Sequence, residues 1–135
     1  MGFDIKAHIE VKIDKQWHHY SCPSILRNYD LMDFLGAENS LTGNNRFKAK
    51  GLPEDISVVT RIAYNRDVAN LFNPSWVTPD ELKIVSSKFP QLDSFNIMQG
   101  NELGYLFDNS VERFYEYRSD YPQEIEDVRM VFWFK

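Results

Sequence analysis

The sequence predicts an α+β fold: a mainly antiparallel sheet with two to three helices, in a single domain spanning residues 1–135. Three observations carry this reading. Residues 5–13 alternate apolar and polar side chains, residues 78–81 spell a helix start, and the chain finishes on the apolar run "DVRMVFWFK".

In the first strand Ile5, Ala7, Ile9, Val11 and Ile13 take one face, and Asp4, Lys6, His8, Glu10 and Lys12 take the other. A period of two over this length marks a half-buried strand. Asp14-Lys15-Gln16 is the expected hairpin turn, "WHHY" opens the returning strand, and Pro23 ends it. "NYDLMDFLG" predicts a short helix capped by Asn28 or Asp30 and stopped by Gly36. Residues 37–51 carry Asn, Ser, Thr and Gly without periodicity, which predicts a long loop. "SVVTRIAY" reads as a further strand. Thr78-Pro79-Asp80-Glu81 places a hydroxyl at a cap, proline at the first helical position and a carboxylate three residues after the cap. Leu82, Val85 and Phe89 follow at helical spacing, and Pro90 closes the element. Another helix is expected within "SVERFYEYRS", starting near Asn109 or Ser110. In the last run Val128, Met130, Phe132 and Phe134 alternate with Arg129, Val131 and Trp133. Both faces are largely apolar, so this strand is expected at the centre of the sheet.

A chain of 135 residues with 43% hydrophobic and 15% aromatic side chains has material for a core. The net charge of −5 argues against a binder of long nucleic acid, which needs a basic face. It leaves room for a small anionic ligand, since a pocket needs only a few local cations. One cysteine, Cys22, permits no internal disulfide and fits a reducing, cytoplasmic setting. No apolar run has membrane-helix length, "MGFDIKAHIE" lacks a signal peptide's apolar core, and Lys6 breaks a myristoylation pattern. A soluble intracellular protein, with no membrane partner, is expected.

The densest polar stretch is "WHHYSCPSILRNY", residues 17–29. Adjacent residues on a strand point to opposite faces, so His18 and His19 cannot both ligate one metal. Neither C-x-x-C nor H-E-x-x-H occurs. The sequence therefore predicts no metal and no cofactor, although His8 is placed to approach one of the pair across the hairpin. Cys22, before a proline and without an accompanying signature, reads as a small buried hydrophobe. With no nucleophile elbow, Gly-rich phosphate loop or dinucleotide fingerprint, no enzyme is expected.

Charge is unevenly spread. Between Leu41 and Arg66 the cations Arg46, Lys48, Lys50, Arg61 and Arg66 face only Glu54 and Asp55, whereas residues 102–127 are strongly acidic. Trp17, Tyr20, Tyr29, Phe47, Tyr64 and Trp76 lie near cations in sequence. Rings beside arginines suit a nucleobase, which stacks while its phosphates meet the guanidinium. The residues expected to bind such a ligand are Trp17, His19, Tyr20, Arg27, Tyr29, Arg46, Lys48, Arg61 and Trp76, with Trp17 or Tyr20 stacking and Arg27 or Arg61 on phosphate. A solvated surface and a packed core account for the same residues equally simply.

The runs "MGFDIKAHIEVKI", "W-HHY", "RNYDLMDFLGA", "GLPEDIS", "SWVTPDEL" and "EDVRMVFWF", in this order over most of the chain, resemble a widespread family of small phage and prophage proteins. That family looks like the phage sponges that sequester cyclic-nucleotide immune signals, in particular the tetrameric anti-CBASS class. The resemblance implies a counter-defence protein in the cytoplasm of an infected bacterial host. Such a protein binds a cyclic di- or trinucleotide without cleaving it, as a homo-oligomer with a tetramer favoured. The chain departs from the family pattern at Lys6, where the family has His, and at Asp14-Lys15-Gln16, where it has an Asn-Gly turn. The first departure weakens any metal site built from Asp4, residue 6 and Glu10. Two other readings stay open: a protein–protein inhibitor that uses the acidic C-terminal region as a nucleic-acid mimic, and a phosphodiesterase-like enzyme.

Overall fold

The computed structural model describes residues 2–22, 25, 27–37, 47–88 and 126–135. The chain opens with β1 (Ile5–Ile13), which turns into β2 (Gln16–Ser21). Asp14 and Lys15 make the turn, both at positive φ (50° and 66°). This two-residue geometry matches the twist of paired strands. It draws Gln16 into β2 opposite Ile13, so the turn is one residue shorter than the sequence reading had it.

Helix α1 (Tyr29–Phe34) starts at Asn28, whose side chain accepts from the Leu31 amide at 3.0 Å. It ends at Gly36, φ +100°, with the Gly36 and Ala37 amides donating to the Asp33 and Met32 carbonyls. A left-handed residue closes the helix there, and glycine adopts that conformation without steric cost.

Residues 57–64, expected as a strand, instead supply the cap and most of helix α2 (Val58–Asn65). The Ser57 hydroxyl accepts from the Thr60 amide and caps the first turn. Burial follows the helical period: Ile56 and Thr60 are buried and Ala63 and Tyr64 partly so, while Val58, Val59 and Ile62 are exposed. A strand would have put Val58, Thr60 and Ile62 on one face; the structure buries only the middle one. A short 3₁₀ turn (Val68–Asn70) then leads into β3 (Phe72–Val77), a strand the sequence reading did not foresee. Asn73 at φ 48° and Pro74 break its pattern, and the register slips between Phe72 and Ser75. Proline is tolerated here because β3 lies at the sheet edge. The capping box forms as read: the Thr78 amide donates to Glu81 Oε1 (3.1 Å) and the Glu81 amide to Thr78 Oγ1 (3.2 Å), opening α3 (Pro79–Lys88). Phe89, Pro90, most of the 37–51 loop and the expected helix near residue 110 lie outside the described residues.

The last strand, β4 (Asp127–Phe134), sits between β1 and β3 in a four-stranded antiparallel sheet of order β2-β1-β4-β3. Its central place agrees with its two apolar faces. One sheet face presents Ile5, Ala7, Ile9, Val11 and Ile13 beside Val128, Met130, Phe132 and Phe134, and packs against Leu31, Met32, Leu35 and Val85. The other presents Lys6, His8, Glu10 and Lys12 beside Arg129, Val131 and Trp133, and packs against Ile56, Leu52, Ala63, Tyr64 and Leu71. The half-buried reading of β1 therefore needs correction: Glu10 is 0% exposed and His8 9%.

Candidate functional site

The second sheet face carries the chemistry. At its centre Glu10 and Arg129 stand opposite each other on β1 and β4, both buried. Arg129 Nε donates to Glu10 Oε1 (2.8 Å), while Nη1 reaches Asp55 Oδ1 (2.8 Å) and Nη2 the Asp55 carbonyl (3.2 Å). Glu10 Oε2 accepts from the Ser57 amide at 3.0 Å. The Trp17 ring covers the guanidinium at 3.9 Å. Burial pushes the Glu10 carboxyl up, but bonds from Ser57, Thr60 and Arg129 outweigh it and leave it below its ordinary value. This network fixes α2 to the sheet, and every buried charge in it has a partner.

Towards β2, three side chains converge. His8 Nδ1 lies 3.0 Å from His19 Nε2, and Cys22 Sγ lies 3.3 Å from each. The two-residue turn sets Glu10 opposite His19, and one extra β2 residue then shifts the register so that Ile9 faces Ser21. Continued by one residue, that shift brings Cys22 across from His8, on the side of the sheet that His19 also faces. Without the bulge, Cys22 would have turned to the opposite face. The opposed directions of His18 and His19 hold as the sequence predicts. His19 nevertheless gains two partners from elsewhere, so the opposition does not by itself rule out a ligand set. Burial, helped by His19, pulls His8 down to about 4. Burial also lowers His19 and raises the Cys22 thiol, so the trio is uncharged near neutrality. His8 stacks on Trp133, centroids 4.8 Å apart.

On the far side of His8 the same face opens into a cavity of about 360 Å³. Lys6 and His8 of β1, Trp133 and Lys135 at the end of β4, and Ala63, Arg66, Asp67 and Leu71 line it. Lys135 pairs with Asp67. Lys6 and Arg66 make no ion pair among the described residues, which leaves two cations facing an apolar floor. Neither was singled out from sequence as a ligand contact. The readable signal was the i, i+2 spacing of Lys6 and His8 on a strand.

The residues expected to bind a ligand are spread out. His19 belongs to the trio and Trp17 covers Arg129. Tyr20 packs on the apolar core, and Trp76 lies 3.9 Å beneath Lys50 Nζ, which also pairs with Glu81. Arg27 is held by Asp4 through two bonds of 2.7 and 2.9 Å, and Tyr29 meets Phe3 edge-on. Lys48 and Arg61 are exposed. Arg46 lies outside the described residues. None of the eight described residues lines the cavity beside His8. No helix among the described residues is long and apolar enough to cross a membrane. Compared with protein families, curated proteins and solved structures, the chain matches none.

Proposed function

We propose that the protein binds a small phosphate-bearing ligand, a cyclic di- or trinucleotide, and holds it uncleaved away from a host effector. The observation that carries this is the cavity itself. Lys6 and Arg66, free of ion pairs among the described residues, flank an apolar floor of Ala63, Leu71 and Trp133. Phosphate oxygens would meet the cations, with Arg66 donating in a fork, and a base would lie on the apolar side. At about 360 Å³ the cavity is near the small end of ligand sites and suits one nucleotide unit. The rest of a cyclic ligand then needs a second copy of the chain. Exposed Val58, Val59 and Ile62 on α2, with Ile62 one helical turn before Arg66, support such an assembly beside the cavity mouth. A homotetramer is the favoured form, and the infected bacterial cytoplasm is its proposed setting.

A sponge acts by stoichiometry, so its affinity must be nanomolar, about −12 kcal/mol. The test is native mass spectrometry of the protein after incubation with a panel of cyclic nucleotides, followed by denaturation and recovery of the ligand. The expected result is a fixed ratio of ligand to oligomer and chemically intact nucleotide. Linear products in excess of protein would replace the sponge by the phosphodiesterase reading. Retention of no nucleotide at micromolar protein would favour the acidic-mimic inhibitor, whose region, residues 102–127, lies outside the described residues except for Glu126 and Asp127.

A further inference from the structure

We propose that His8, His19 and Cys22 form a zinc site, with His8 Nδ1, His19 Nε2 and Cys22 Sγ as ligands and the fourth position open to solvent. The inference stands apart from the nucleotide cavity and concerns the opposite side of the His8 ring.

The geometry fits the ion. Zinc–nitrogen and zinc–sulfur bonds of about 2.0–2.1 and 2.3 Å place tetrahedral ligand atoms roughly 3.3–3.6 Å apart. The three observed separations are 3.0, 3.3 and 3.3 Å, so seating an ion needs movements of only a few tenths of an ångström. Hydrogen bonding alone serves this triangle poorly. Each ring nitrogen either donates or accepts but cannot do both, so even with a thiol that does both, the three facing atoms cannot close a cycle of three bonds. A cation at the centre takes one lone pair from each. On binding, zinc takes neutral imidazole nitrogens and displaces the thiol proton to solvent, leaving a Cys22 thiolate on the metal. One sulfur with two imidazole nitrogens is a donor set of zinc's intermediate softness, unlike the all-oxygen sets that magnesium and calcium prefer. No fourth His, Cys, Asp or Glu joins the group among the described residues. Cys22 is exposed, so water can complete the tetrahedron.

The site has a mechanical consequence. Cys22 follows the last residue of β2, and a bound ion would clip the start of the chain's passage towards α1 onto β1. Because the ligands lie on separate strands and beyond a bulge, binding favours the folded chain and should raise its thermal midpoint.

The experiment is a cobalt(II) titration of the full chain after removal of metal with a chelator, followed by displacement with zinc. One equivalent of cobalt should give the visible bands of a tetrahedral ion and a near-ultraviolet thiolate-to-cobalt charge-transfer band, and zinc should abolish both. Cys22→Ser should lose the charge-transfer band and weaken binding at least 100-fold. His19→Ala should weaken it to a similar degree, and His18→Ala, on the opposite face, should leave it unchanged. Both informative substitutions fall on exposed or half-buried residues, so folding is checked by circular dichroism before titration. Absence of the charge-transfer band in the native chain at tenfold excess cobalt would overturn the assignment. So would its persistence in Cys22→Ser, or cobalt affinity in His19→Ala equal to that of the native chain.

Discussion

The two faces of the one sheet are built on different rules. The face that meets α1 and α3 is filled by aliphatic and aromatic side chains from Ile5 to Phe134, and its stabilisation comes from burial and close packing. The face that meets α2 is buried only in part, yet it holds a buried carboxylate, a buried guanidinium and, nearer its edge, an imidazole–thiol cluster. An apolar face tolerates substitutions that keep volume. A polar face tolerates only those that keep partners, since each orphaned charge brings its full desolvation cost. Both candidate sites lie on the second face, where residues that are costly to bury are already held in fixed geometry.

This contrast can be broken most severely at Arg129. Arg129→Met leaves Glu10 buried without its partner and should destabilise the fold by about 3–5 kcal/mol in urea denaturation. Replacing Glu10 and Arg129 together with apolar residues should recover much of that loss, because the uncompensated charge goes too. Additive losses in the double variant would contradict the pairing. On the apolar face, Leu31→Ala should cost about 2–5 kcal/mol through the cavity it leaves, and Ile9→Val only about 0.5–1.5 kcal/mol.

Acid makes a milder cut on the polar face. Arg129 holds the Asp55 carboxyl below its ordinary value, and Glu10 also sits below its own. The unfolded chain therefore takes up protons first as the pH falls. Stabilisation from this pair of acids is complete above about pH 4.5 and is lost as the pH drops through their native values. Unfolding midpoints should fall with a shallower slope below pH 4.5 in Asp55→Asn than in the native chain, and equal slopes would contradict the assignment. The smallest effect is expected at the exposed Arg27–Asp4 pair, where Asp4→Asn should change stability by no more than about 1 kcal/mol.

The same contrast explains what could be read in the sequence. The apolar face announces itself by period: Ile5 to Ile13 alternate, and Val85 follows a capping box that forms as written. Helix α2 reads as a strand in sequence because Val58, Val59 and Ile62 suit a strand by type. The deciding fact, a Ser57 cap bonded to the Glu10 network, joins residues 47 positions apart. Strand β3 was hidden by Asn73 and Pro74, which an edge strand can hold and a central one cannot. The trio at His8 depends on a turn one residue shorter than expected and on a bulge after His19, and side-chain chemistry encodes neither. His8, His19 and Cys22 each stand out in the sequence; what brings them together is register. The Glu10–Arg129 pair spans 119 positions and follows only from the pairing of β1 with β4.

The proposed phosphate site is the cavity on the polar face beside His8, and its most direct test is calorimetric titration of cyclic di- and trinucleotides into the native chain and into Lys6→Ala/Arg66→Ala. Both substituted side chains are exposed, so the fold should survive their loss. The native chain should bind at least one of the nucleotides with nanomolar affinity. The double variant should lose at least 100-fold, while Arg27→Ala, already engaged by Asp4 on an exposed edge, should lose less than threefold. Native affinity retained in the double variant, or a loss confined to Arg27→Ala, would contradict the placement of the site.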